Sequence, residues 1–257
     1  MDASSRHSNL MTEDGSFDKI ARQTGGFAGD VFGVLWAPRE TYARIAARRR
    51  AVRTTVALVL TIVLAEFVFG STATGGWALF QYEVSLNKSF GVRLTPRDLA
   101  AMAAEHGRPT YMVRKTMYSL SLHVLAILSL AAVVKGVFGR LLGSRRRFGP
   151  VAAVVAHSWV FWAMQTLLTL PLHYALGSIE SRTSLAVFFP LLEKNSWVGR
   201  ALDLTDLMSV WWILNLAIGL GVLFKRSPKP VALAMLGLYV SSVLVVATVG
   251  VLLGGAQ

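Results

Sequence analysis

An all-α, polytopic integral membrane protein, a bundle of five transmembrane helices with a cytoplasmic N-terminus, is the architecture this sequence predicts. Three observations carry it. Five apolar stretches are each long enough to cross a bilayer, the short basic connectors between them fall on one side, and the composition is 54% hydrophobic with a mean hydropathy of +0.52. The stretches run approximately over 54–71, 117–138, 151–172, 207–224 and 231–253. Each has ~18 to 23 residues, and at ~1.5 Å per residue a hydrocarbon core of ~30 Å needs about that many. One membrane domain over 51–257 is the natural size estimate.

Orientation follows from charge. The net charge of +12 would ordinarily raise nucleic acid as a partner, but the basic residues here are distributed as a topology code. Arg44, Arg48, Arg49, Arg50 and Arg53 precede the first stretch; Arg140, Arg145, Arg146 and Arg147 separate the second and third; Lys225, Arg226 and Lys229 separate the fourth and fifth. If every stretch crosses once, these clusters share a side, which the positive-inside rule makes the cytoplasm. The expected location is a bacterial cytoplasmic (inner) membrane, with the C-terminus outside. The connector 72–116 opposes this with Lys88, Arg93, Arg97, Arg108, Arg114 and Lys115, but it is long and also holds Glu83, Asp98 and Glu105. Basic bias counts most in short loops.

Ahead of the first span, residues 1–24 are polar and lack an apolar period, so a disordered cytoplasmic tail is expected. No apolar h-region of a secretory signal is present in the first fifty residues, which leaves targeting to the first span. Residues 25–50 differ. Phe27, Val31, Phe32, Leu35 and Trp36 form an apolar group, and Pro38 suits the first position of a helix because its missing N–H would be unpaired there. Tyr42 and Ile45 follow at helical spacing. The segment reads as an amphipathic interfacial helix, with Phe32, Leu35, Trp36, Arg39, Arg44 and Arg48 as lipid contacts, anionic lipids among them. A helix packed under the bundle fits the same pattern.

Between the first two spans, Thr95-Pro96-Arg97-Asp98 resembles a capping box and Gly107 can close the helix it opens. The connector from Gly177 to Asp206 is less regular, and Asp206, or Thr205, suits the N-cap of the fourth span. Pro171 and His173 mark the end of the third. Small-residue pairs at Ala217 and Gly221, and at Gly250 and Gly254, suit close helix packing within or between chains.

Ionisable and amide groups at bilayer depth cost a few kcal/mol unless paired or hydrated, so they are the candidate functional residues. Glu66 lies near the outer end of the first span and His123 at similar depth in the second, which predicts a hydrogen-bonded pair. His157 and Gln165 in the third span and Asn215 in the fourth are candidate polar residues of the bundle. A proton or solute path would need these groups to converge on one cavity; structural anchors can be scattered.

Enzymatic patterns are missing. There is no H-E-x-x-H, G-x-S-x-G or Walker P-loop, and no cofactor motif. Cysteine is absent, which removes disulfides and thiolate metal sites. Asp203 and Asp206 share one loop, whereas an intramembrane aspartyl mechanism needs acids facing each other from different helices.

The segment VLWAPRETYARI running into the first span, the connector and third span GSRRRFGPVAAVVAHSWVFWAMQTLL, and LDLTDLMSVWWILNLAIGLGVLFKRSPKPVALAMLGLYV together resemble the bacterial Yip-domain family of polytopic membrane proteins. Order and spacing carry the likeness, and the long connector 72–116 departs from it. The resemblance implies five spans and a non-enzymatic membrane component, a membrane organiser or partner-binding protein whose partners are the lipid bilayer, another membrane protein or a second copy. Eukaryotic members of the wider family are linked to vesicle traffic and Rab-type GTPases. It brings no catalytic residues. The rival reading is a small-solute or proton-coupled transporter using the intramembrane polar residues.

Overall fold

The third apolar stretch is hydrophobic around its whole circumference, and a helix of that kind must be enclosed on all sides. In a computed structural model, which describes residues 26–48, 51–141, 147–179, 183–193 and 196–254, its first half forms the axis of the bundle. The helices are α1 (Phe27–Trp36), α2 (Pro38–Arg48), α3 (Ala51–Gly70), α4 (Ala73–Ser89), α5 (Pro96–His106), α6 (Pro109–Leu141), α7 (Phe148–Ser158), α8 (Val160–Leu176), α9 (Trp197–Leu204), α10 (Leu207–Phe224) and α11 (Pro228–Gly254). A single 3-10 turn, Leu185–Phe188, precedes α9. Every residue of α7 from Pro150 to Ser158 is buried, against α1, α2, α3, α6 and α10.

Five segments among the described residues have the length and composition to cross a membrane: Val52–Gly70, Pro109–Phe138, Phe148–Leu176, Leu207–Phe224 and Pro228–Leu252. The second starts earlier than its apolar run predicts. Tyr111 and Lys115 in its added turns bond to Glu83 of α4, and Arg114 to Glu105 of α5, so the helix extends where polar partners are available. The third continues past Pro171 instead of stopping there and ends at Gly177, whose φ of 60° suits a residue without Cβ. Between α7 and α8 the helix tightens, with the Trp159 N–H bonding to Ala156 O at 3.2 Å.

One end of the bundle carries α1, α2 and the α10–α11 turn; this is the basic end. The opposite, connector end carries α4, α5 and the segment leading to α9. The predicted capping box is present there: the Thr95 N–H donates to Asp98 Oδ2 at 2.9 Å and the Asp98 N–H to Thr95 Oγ1 at 3.2 Å. The Thr95 hydroxyl, donating to Asp98 Oδ2 at 2.7 Å, and the Thr95 N–H together hold the Asp98 carboxyl below the ordinary aspartate range. Asp206 caps α10 by accepting from the Ser209 N–H at 2.9 Å. The tail 1–24 and Arg49, Arg50, Arg145 and Arg146 lie outside the described residues.

The segment that reads as interfacial is docked into the bundle along one side. The residue before a proline is disfavoured in the helical region, so the chain breaks at Ala37 and α2 starts at Pro38, folding back on α1. Val34, Thr41, Tyr42 and Ile45 are buried against α7 and α10. Phe32 (62% exposed) and Trp36 (86%) do point away from the protein, and Arg39 is also exposed. Leu35 and Arg44 are half-buried and have partners within the protein. Leu35 packs against the core, and Arg44 turns to Asp30 at 3.5 Å and donates to Thr41 Oγ1 at 3.2 Å. The side chain of Arg48 is not among those described.

Candidate functional site

Asn215, His157, Gln165 and Glu66 each have hydrogen-bond partners on neighbouring elements. Asn215 lies halfway along α10, where Gly219, one turn further on, leaves room for the ring of Tyr42. A Cβ on Gly219 would stand 2.8 Å from Val154 Cγ1 and 3.1 Å from the Tyr42 ring. The Tyr42 hydroxyl donates to Asn215 Oδ1 at 2.6 Å, and Asn215 Nδ2 donates to the Val34 carbonyl at 2.8 Å. One amide thus pins both N-terminal helices to α10. Burial pushes the Tyr42 hydroxyl far above its ordinary pKa and keeps it a donor.

His157 closes the adjacent seam. Its Nδ1 is 2.7 Å from the Ala153 carbonyl, which can only accept, so Nδ1 carries the proton. Its Nε2 pairs with the Thr54 hydroxyl at 2.9 Å, tying α7 to the start of α3. Beside it, Trp212 Nε1 donates to Ser158 Oγ at 3.0 Å. The rings of Trp159, Trp162 and Trp212 pack with centroids 5.9 to 6.2 Å apart.

Gln165 acts at the connector end. Its Nε2 donates to Thr183 Oγ1 and to Asp206 Oδ2, both at 3.0 Å, and Thr183 also donates to Asp206. The backbone of Asp206 and Ser184 forms a β-bridge, and the Asp206 N–H reaches Tyr239 Oη at 2.9 Å. The irregular connector is stapled to α8, α10 and α11 by this cluster.

Glu66 and His123 lie on adjacent helices and are joined through an intermediary. Ser119, one turn from His123 on α6, donates to Glu66 Oε2 at 2.7 Å and lies 3.5 Å from His123 Nδ1. That nitrogen is engaged with the Ser119 carbonyl at 2.8 Å. The predicted direct hydrogen bond is therefore replaced by a serine bridge. Glu66 is exposed on the outside of the bundle, and the His123 ring packs edge-on to Trp159 at 6.4 Å.

The connector end holds a polar cluster and a cavity that the sequence did not single out. Glu83 of α4 accepts from Lys115 Nζ at 2.6 Å and from the Tyr111 hydroxyl at 2.8 Å, and His106 Nε2 lies 3.3 Å away. Burial alone would raise the Glu83 carboxyl, but the bonds from Lys115 and Tyr111 outweigh it and hold the group below the ordinary glutamate range. Alongside lies an open cavity of about 570 Å³ between α3, α4, α5 and α6, with Phe67, Trp77, Phe80 and Met112 on its apolar wall and His106 and Tyr111 at its polar edge. The signal for this site was Glu83, one of three acids in a connector rich in basic residues. No group of three or more His, Cys, Asp or Glu able to hold a metal occurs among the described residues.

The polar groups are thus distributed over separate seams of the bundle. His157 and Asn215 lie in its core, Gln165 at the connector end and Glu66 on the outside, and none of the four lines the connector-end cavity.

The fold and these anchors define a polytopic membrane protein of five spans whose N-terminal helices are part of the bundle. A family model for the Yip1 domain matches residues 32–251, and the chain belongs to that family. The matched range begins inside α1, in agreement with the packing of α1 and α2 into the membrane domain. No curated protein and no solved structure matches the chain.

Proposed function

We propose that this protein acts without catalysis, as a membrane organiser or partner-binding component that works through contacts of its surface with other membrane proteins and lipids. The observation that carries the reading is the dispersal of the intramembrane polar groups. His157, Gln165 and Asn215 each spend their hydrogen-bonding capacity on fixing one helix or connector to another, and hydrogen bonds of ~0.6 to 2 kcal/mol account for such residues structurally. Family membership and the large apolar surfaces of α6 and α11 support it further. The transporter reading has no common cavity to support it.

The test combines two measurements on the full chain. Photo-crosslinking from Leu64 or Val68, exposed on α3, in native membranes should recover a recurring membrane partner or a second copy, and proteoliposomes should hold a pH gradient as long as protein-free vesicles do. Proton flux abolished by Glu66→Gln would overturn the reading in favour of transport.

The orientation proposed is N-terminus inside, in a bacterial cytoplasmic membrane, from the three short basic connectors. A reporter active only in the cytoplasm should work at the N-terminus and between α6 and α7 and fail at the C-terminus. Activity of the C-terminal fusion would reverse this assignment.

A further inference from the structure

At the basic end, two spans finish on the same small pocket. Leu207–Phe224 arrives at it and Pro228–Leu252 leaves from it. The pocket, of about 330 Å³, is lined by Arg39 of α2, by Ile218, Gly221 and Val222 of α10, and by Lys225, Arg226 and Pro228 of the turn. Three of its residues are cations and none is an acid. Arg39, Lys225 and Arg226 are all exposed, and among the described residues none of the three is held by a carboxylate. Elsewhere in the described chain, Arg44, Arg108, Arg114 and Lys115 each have an acidic partner. This cluster of basic groups is left unneutralised by the fold.

The turn that presents it is unusual. The α10 helix closes with the Arg226 N–H on Gly221 O at 2.9 Å and with Lys225 in the left-handed region at φ 53°, ψ 47°. Lys225 is the one non-glycine residue with positive φ among those described. Glycine is the usual residue at such a cap, because a side chain is disfavoured there. A lysine in that position brings a positive charge to the pocket at a conformational cost.

Depth decides the kind of anion. The pocket sits where two membrane spans end, which is the headgroup layer, and Trp36, exposed at the same α1–α2 corner, is a residue enriched at that level. We propose that the pocket framed by Arg39, Lys225 and Arg226 binds the phosphate of an anionic phospholipid headgroup. Its volume is at the lower end of the range for ligand pockets, which suits a headgroup with its chains left in the bilayer. The inference rests on the chain's residence in the membrane and not on the partner-binding reading, so either can fail alone.

The test uses the full chain purified in detergent and native mass spectrometry with phosphatidylglycerol or phosphatidylcholine as the probe. Phosphatidylglycerol should be retained preferentially, and retention should fall about fivefold for each charge removed in Arg39→Gln, Lys225→Gly and Arg226→Gln. Lys225→Gly separates binding from folding: it relieves the left-handed lysine, so its Tm should hold or rise while retention drops. Equal retention of the two lipids, or unchanged retention in the triple variant, overturns the proposal. Displacement of phosphatidylglycerol by inorganic phosphate at equal concentration also overturns it, by making the pocket a site for the free anion.

Discussion

Tyr42 and Asn215, 173 positions apart, meet in a buried hydrogen bond of 2.6 Å that fixes the N-terminal helices to the fourth span. Asn215 also donates to Val34 O, so its removal orphans two buried groups. An unsatisfied buried partner costs about 1 to 3 kcal/mol. Asn215→Ala and Tyr42→Phe should each lower stability in detergent within that range. The double variant should cost less than the sum by ~0.5 kcal/mol or more, the scale expected of neighbours. Strict additivity in a two-variant cycle would dissolve the link.

The Tyr42 ring packs over Gly219 of α10, 3.1 Å from where a Cβ would stand. Alanine is the better helix former by about 1 kcal/mol, yet its Cβ would meet Val154 at 2.8 Å. Overpacking of a tight core costs about 1 to 3 kcal/mol, so Gly219→Ala should lower the Tm. With the ring removed as well, in Tyr42→Ala, the added methyl should be better tolerated. A Gly219→Ala variant more stable than the parent in the wild-type background would show that the contact is slack.

Ser119 should be the coupling residue between Glu66 and His123. Removing its hydroxyl in Ser119→Ala breaks the 2.7 Å bond to Glu66 without touching either ionisable group. The expected destabilisation is about 0.5 to 1.5 kcal/mol. In a Ser119→Ala background, Glu66→Ala should cost less than it does in the parent. An unchanged cost of Glu66→Ala would mean that the serine bridge contributes nothing.

Glu83 gives the connector end a pH dependence whose sign is fixed by its lowered pKa. A carboxylate held below its unfolded value contributes stability that is complete above the ordinary glutamate value of about 4.3 and is lost as pH falls through the folded value. Proteolysis of the connector 72–116 should therefore accelerate below about pH 4 in the parent. Glu83→Gln should be more susceptible at neutral pH and show a weaker acid response. Identical pH profiles for the two chains would assign the acid response to other groups.

The five spans were legible because lipid admits few solutions: a crossing segment must be long, apolar and internally hydrogen-bonded. Caps were legible for a related reason. Thr95, Asp98 and Asp206 act within three residues of their partners, and such geometry repeats from protein to protein. The placement of α2 was less legible. An amphipathic helix buries its apolar face equally well against lipid or protein, and Tyr42 and Ile45 read alike in both cases. The choice depended on Gly219 and Asn215, far along the chain. Long-range polar partners were hidden in the same way: Glu66 and His123 read as a direct pair, but Ser119, an ordinary residue in sequence, makes the connection. The helix α4 escaped because Ala73–Ser89 has neither a strong apolar stripe nor a proline at its start, and its cap is the single hydroxyl of Thr72.

The distance in sequence between Tyr42 and Asn215 also sets an order of events during synthesis. At about 5 to 20 residues per second, the ribosome takes roughly 9 to 35 s to make the partner that α2 awaits. The first three spans are thus made before the N-terminal helices can take their final place, and α7 stays open on the side that α2 and α10 later cover. A nascent chain arrested before Asn215 would present Tyr42 and Ile45 to whatever apolar surroundings the membrane surface offers. Among the described helices, α1 and α2 are made first and are among the last to be secured.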